Sequence, residues 1–181
     1  MEFTVKLAAY EDMAEAVRVE KETMGDYVYL EDAWHYFNTL DGGLVCVYHG
    51  EKMVGIGRFT VLPDGSGWLE TLRVTPEYQR KGIGRKIYEK YIELAQENRC
   101  PSIAMFTGVN NVASSALAEV FSLKTVAQHR GYHLTNLEGG APHGFVHTGW
   151  QRAVELILPM KEEYNNYMTF NRTFHRINEA N

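Results

Sequence analysis

Gln79-Arg80-Lys81-Gly82-Ile83-Gly84-Arg85 divides two stretches of different periodicity. Before it, Trp68-Leu69-Glu70-Thr71-Leu72-Arg73-Val74 reads as a strand. After it, Lys86–Asn98 sets Ile87, Tyr91, Leu94 and Ala95 on one side of a helix. Glycines let a backbone approach a phosphate closely. The first-turn N–H groups of a helix have no partner within it, and its dipole favours an anion there. Arg80, Lys81 and Arg85 add positive potential. A pyrophosphate suits such a loop, although an ordinary strand-to-helix turn with solvated basic residues fits it too. The segment lacks the GKS/GKT ending of a P-loop and the third glycine of a dinucleotide fingerprint.

Working outward, Phe3–Leu7 alternates as a first strand. Tyr10-Glu11-Asp12 opens a helix carrying Met13, Ala16, Val17 and Val19, and a second helix is expected over Leu30–Leu40, stopped by Asp41-Gly42-Gly43. Leu44–Tyr48, Met53–Val61 and Trp68–Val74 form an antiparallel meander joined at His49–Lys52 and Pro63–Gly67. Past the loop, Ser102–Thr107 is a short strand, Asn111–Phe121 a helix and Lys124–Leu134 another strand. A strand, a glycine turn, a helix and a strand make a βαβ unit, so part of the sheet is parallel. The fold class is therefore α/β (α+β): a mixed central sheet flanked by helices, over residues 1–134.

Residues 135–181 form a C-terminal extension. Asn136–Gly144 reads as a linker or long loop, Trp150–Leu158 as a helix and Met168–Ile177 as a strand. Trp150, Phe170 and Phe174 need burial, against the core or across a homodimer contact.

Composition narrows the function classes. The chain has 181 residues, 45% apolar and 23% charged, an ordinary one-domain balance. A net charge of −5 argues against a nucleic-acid binder and suits a cationic or neutral small acceptor. Cys46 and Cys100 are too few for a disulfide framework. Met1–Thr23 is too charged for a signal peptide, and no apolar run approaches the ~20 residues of a membrane span. A cytoplasmic protein that binds no membrane is expected. The spacing of His129, His133, His143 and His147 is not a zinc pattern, so no metal is expected.

The segment Leu72-x-Val74-x-Pro76-x-Tyr78-Gln79-x-x-Gly82-x-Gly84 resembles motif A of the GNAT N-acetyltransferases, and the resemblance extends over about residues 2–134. It implies acetyl-coenzyme A as co-substrate. The loop from Gln79 through Arg80, Lys81, Gly82, Ile83 and Gly84 to Arg85 would hold the pyrophosphate on its backbone amides. The main chain of Leu72, Arg73 and Val74 would pair with the pantetheine arm. Asn110 or Asn111 resembles the Asn that begins motif B, with Ser114 and Ser115 on the next turn. The implied reaction is acetyl transfer to a primary amine of a small molecule or amino acid. A protein N-terminus or lysine as acceptor, and a non-catalytic acyl-CoA sensor, are the alternatives.

An alkylammonium titrates near ~10.4, so attack at neutral pH needs a base. The resemblance points to Glu70, and to the Val74 N–H as donor to the developing oxyanion. Unbroken alternation puts Glu70, Leu72 and Val74 on one face and Leu69, Thr71 and Arg73 on the other; a bulge shifts this by one. The family's motif B tyrosine is absent: Ala116-Leu117-Ala118 stands there, followed by Ser122-Leu123. His129, Tyr132 or His133 would take its place, or the thiolate, with a thiol pKa near ~8.5, leaves unaided. Tyr27, Tyr29, Trp34 and Tyr36 either wall an acceptor pocket or pack the first helices on the sheet.

Overall fold

The alternation of the N-terminal half becomes a twisted meander in the computed structural model, which describes residues 1–129, 147–164, 166–170 and 173–177. Strands β1 (Thr4–Leu7), β2 (Gly42–His49), β3 (Lys52–Val61) and β4 (Gly67–Val74) pair antiparallel in that order. Strand β5 (Ile103–Met105) joins β4 in parallel after helix α3 (Ile83–Glu97), completing a five-stranded mixed sheet.

Both faces of the sheet are covered. Helix α3 packs Ile83, Ile87, Tyr91 and Leu94 against Val45, Val47, Val54, Phe59 and Leu69. Helices α1 (Met13–Met24) and α2 (Leu30–Phe37) cover Leu44, Cys46, Met53 and Ile56 with Ala16, Val19, Leu30, Trp34 and Phe37. Two-sided burial explains why β3 is apolar on both faces, the pattern of a central strand. Gly57 lets α3 seat closely: a Cβ there would collide with the Tyr91 hydroxyl and meet Ile87 at 2.6 Å.

Several boundaries differ from the sequence expectation. Gly42 and Gly43 begin β2 rather than end a helix, and α2 stops at Phe37, where the Asn38 side chain donates to the Trp34 carbonyl. Helix α3 starts at Ile83, not Lys86, so Gly82 is its N-cap. Lys124–His129 holds no strand, and residues 130–134 of that expected strand lie outside the described residues. The expected linker Asn136–Gly144 also lies outside them.

Helix α4 (Val112–Val120) follows β5, and α5 (Trp150–Ile157) begins the described part of the tail. Met168–Ile177 is not one strand: β6 (Tyr167–Phe170) and β7 (Thr173–Arg176) form a separate hairpin. Phe174 on β7 meets the rings of Trp68 at 6.2 Å, Phe106 at 5.3 Å and His129 at 4.6 Å, and Arg176 donates to Ser102 at 3.2 Å. The hairpin thus reaches the β4–β5 side of the sheet. Trp150 is not buried; 72% of it is exposed.

Candidate active site

Strands β4 and β5 pair only from Gly67–Ile103 to Leu69–Met105. Past Leu69 they part, and a cleft of about 600 Å³ opens between them, running to the glycine loop and to α4. Val74 shows how the splay exposes main chain. Val74 lies opposite Gly55, and the next residue, Thr75, donates its N–H to the Val54 carbonyl at 3.0 Å. That is the pattern of a non-hydrogen-bonded antiparallel pair, so the Val74 N–H turns away from β3 toward the splay. Arg73, one residue earlier, directs its peptide to Ile56 on β3 instead.

At one end of the cleft the backbone builds an anion cradle. Gly82, the N-cap of α3, has φ +83, and among the described residues no side chain caps the helix. Its first-turn N–H groups are therefore left for a ligand, at the positive end of a 15-residue helix. Arg80 also has a left-handed φ of +58, and alternating backbone handedness of this kind turns successive N–H groups into one concavity. Among the described residues, nothing lies within 4 Å of where a Cβ at Gly82 would sit. Gln79 braces the turn by donating its side-chain amide to the Val74 carbonyl at 3.2 Å. This cradle fits a pyrophosphate.

At the other end β4 carries a bulge. Ile56 faces Arg73 and Arg58 faces Glu70, so Thr71 and Leu72 together oppose Gly57. Thr71 is left-handed, φ +57, which is unusual for a β-branched residue and costs on the order of 1–3 kcal/mol. Its hydroxyl shares a 2.7 Å hydrogen bond with the Tyr29 hydroxyl, which helps hold it there. Tyr29 is in turn placed by Glu20, a fully buried carboxylate on α1 that accepts the Tyr29 and Leu30 N–H groups.

The bulge corrects the unbroken alternation. Leu72 and Val74 join Leu69 against the α3 side of the core, while Arg73 faces the α1–α2 side with Ile56. Glu70 lies opposite Arg58, on the face opposite Leu69. It therefore does not share a face with Leu72 and Val74.

Burial raises the Glu70 pKa, against the nearby Arg58 charge and a hydrogen bond from Thr60, which lower it. The Thr60 hydroxyl donates to Glu70 Oε1 at 3.4 Å and accepts from Arg58 Nε at 3.1 Å. Arg58 is itself anchored to the Leu40 carbonyl. Glu70 is thus a carboxylate held on a fixed scaffold, with a pKa moved toward neutrality.

The cleft gathers Glu70, Leu72, Arg73, Val74, Gln79, Arg80, Gly82, Ile83, Gly84, Arg85, Asn111 and Ser114. It does not include Lys81, whose Nζ sits 4.9 Å from the Tyr78 ring centre, or the exposed Asn110. Of the two asparagines, Asn111 is the N-cap of α4 and accepts the Ser114 N–H at 3.2 Å. His129 packs on Phe174; Tyr132 and His133 lie outside the described residues. Tyr27 and Tyr36 are exposed and Trp34 is buried in helix packing, while the Tyr29 side chain hydrogen-bonds to the cleft residue Thr71. Sequence reasoning missed Tyr88, which lines the cleft from α3; its spacing of one turn after Gly84 was the available signal. Among the described residues no group of three His, Cys, Asp or Glu is placed to hold a metal, and no helix is long and apolar enough to cross a membrane.

Comparison with known proteins agrees with this fold. The model of the acetyltransferase (GNAT) family matches residues 7–121. The uncharacterized N-acetyltransferase YedL of Escherichia coli is 32% identical over 62 residues, which are 34% of this chain and 39% of that protein. Thialysine N-epsilon-acetyltransferase of Sus scrofa is 26% identical over 145 residues, 75% of this chain and 83% of that one. The solved structure of AAC(6')-Iy, in complex with the bisubstrate analogue CoA-S-monomethyl-acetylneamine, shares the fold. Its TM-score is 0.65 at 11% identity, over 75% of this chain and all of that one.

Proposed function

The chain belongs to the GNAT family of acetyl-CoA-dependent N-acetyltransferases, and on that premise we propose that it acetylates a primary amine of a small molecule or amino acid. The observation that carries this reading is the Thr71 bulge. It leaves the Val74 N–H on the open edge of β4 while setting Glu70 toward α1 and α2, so a hydrogen-bond donor and a base approach one cleft from different sides.

In this reading the α3 cradle and Arg80 and Arg85 take the pyrophosphate. The open edge at Leu72 and Val74 takes the pantetheine arm, and Asn111 and Ser114 flank it from α4. Glu70 accepts the proton of the attacking amine, directly or through one water, and its raised pKa brings it closer to the strength a base needs near neutrality. The Val74 N–H donates to the oxygen that gains charge as the amine attacks. The amine enters past Thr23 and Met24 at the end of α1, which line the cleft beside Glu70 and Thr71. The named substrate of the Sus scrofa relative, thialysine, supports an amino-acid amine.

The test is an acceptor screen with acetyl-CoA, following thiol release with thialysine, lysine, other amino acids and aminoglycosides. Release with a small amine is expected. Tight coenzyme A binding with no release from any amine would contradict the reading.

A further inference from the structure

When the new C–N bond forms and the C–S bond breaks, the electron pair stays on sulfur, and the cleft must receive a thiolate. Helix α4 offers it no phenol, because Ala118 stands where the motif B tyrosine would project. Helix α3 does offer one. We propose that Tyr88 donates the hydrogen bond that stabilises the departing thiolate, reaching the slot from α3 rather than from α4; this rests on the coenzyme A reading above.

Tyr88 lines the cleft, is 2% exposed, and faces the point where β4 and β5 part. Its hydroxyl donates to the thioether of Met105 on β5 at 2.9 Å. A thioether is a weak acceptor, so this proton is readily given up to a better one. A thiolate is a better one, and a charge-assisted bond is roughly twice as strong as a neutral one. The ring is fixed: it stacks on Phe121 at 4.9 Å and meets Tyr91 edge-on at 5.5 Å. Ala118 packs in the same cluster, where its small side chain leaves room for the phenol.

The proton itself stays on Tyr88. Burial pushes its pKa up to about 12, well above a thiol near ~8.5, so transfer to the thiolate is uphill while donation to it is favourable. The amine proton goes to Glu70, and the thiolate leaves with the coenzyme and is protonated by solvent.

Coenzyme A and desulfo-coenzyme A binding across roughly pH 6.5 to 9.5 tests this in wild type and Tyr88→Phe, which keeps the ring stacking. Wild type should gain about tenfold for coenzyme A over desulfo-coenzyme A as the thiol ionises. Tyr88→Phe should lose that gain and bind desulfo-coenzyme A normally. The same gain in both proteins overturns the proposal. The thiolate absorbance of coenzyme A bound to wild type is a second readout, needing no variant: a thiol pKa at or above that of free coenzyme A also overturns it. Failure of wild type to bind either ligand overturns the coenzyme A reading as well.

Discussion

The two ends of the cleft are built differently. The end we assign to phosphate is one contiguous segment: Gln79 braces it, Gly82 caps it, and the N–H groups come from the first turn of α3. The end we assign to the thioester is assembled from five elements. Glu70 and Thr71 come from β4, Arg58 and Thr60 from β3, Glu20 from α1, Tyr88 from α3 and Met105 from β5. A backbone cradle tolerates change in most side chains, whereas a side-chain site changes with each of its parts. Substitutions at the first end should therefore act on affinity for any form of the cofactor, and those at the second on rate and acceptor affinity, with Tyr88 acting besides on the thiolate form of coenzyme A alone.

The largest expected effect tests that division at the phosphate end. Gly84→Glu brings a carboxylate to the cradle, and even its Cβ would meet Leu117 at 3.0 Å. Loss of several charge-assisted hydrogen bonds should weaken coenzyme A by at least about 100-fold, measured by calorimetry. Near-normal affinity would remove the loop assignment. Glu70→Gln should do the reverse, lowering the transfer rate by about 10²- to 10⁴-fold while leaving coenzyme A affinity within about twofold. A matched loss of affinity would mean that the two ends are not separate.

Glu70→Gln should also alter stability with pH. Because burial raises the Glu70 pKa above its unfolded value, its charge is disfavoured in the folded protein. Its stabilising contribution is complete below the unfolded pKa, near 4.5, and is lost as pH rises through the folded one. The variant should thus gain in melting temperature relative to wild type between acid and neutral pH; a constant difference would contradict a raised pKa. The smallest effect is expected at the bulge. Thr71→Val removes the bond to Tyr29, worth about 1 kcal/mol, and should raise the acceptor KM several-fold with coenzyme A affinity unchanged.

The same contrast explains what the sequence disclosed. The glycine loop, the meander and the parallel return are local patterns, and each is present: strand, loop, α3 and β5 follow in order. The capping role of Asn111 is also a short-range signal. The parity of β4 was not legible, because alternation assumes an unbroken pleat and a threonine in the left-handed region has no sequence signature. Nor was the contact of Tyr88 with Met105, which depends on how α3 lies under the sheet. Met168–Ile177 reads as one strand because both arms of the hairpin carry β-forming residues; residues 171 and 172 lie outside the described residues.

The most direct test is the pH dependence of acetyl transfer from acetyl-CoA at saturating coenzyme and a fixed amine, with wild type and Glu70→Gln side by side. The wild-type rate should fall as pH drops through a Glu70 pKa above 4.5, and that limb should be missing in the variant. Two profiles of the same shape and height would contradict Glu70 as the base.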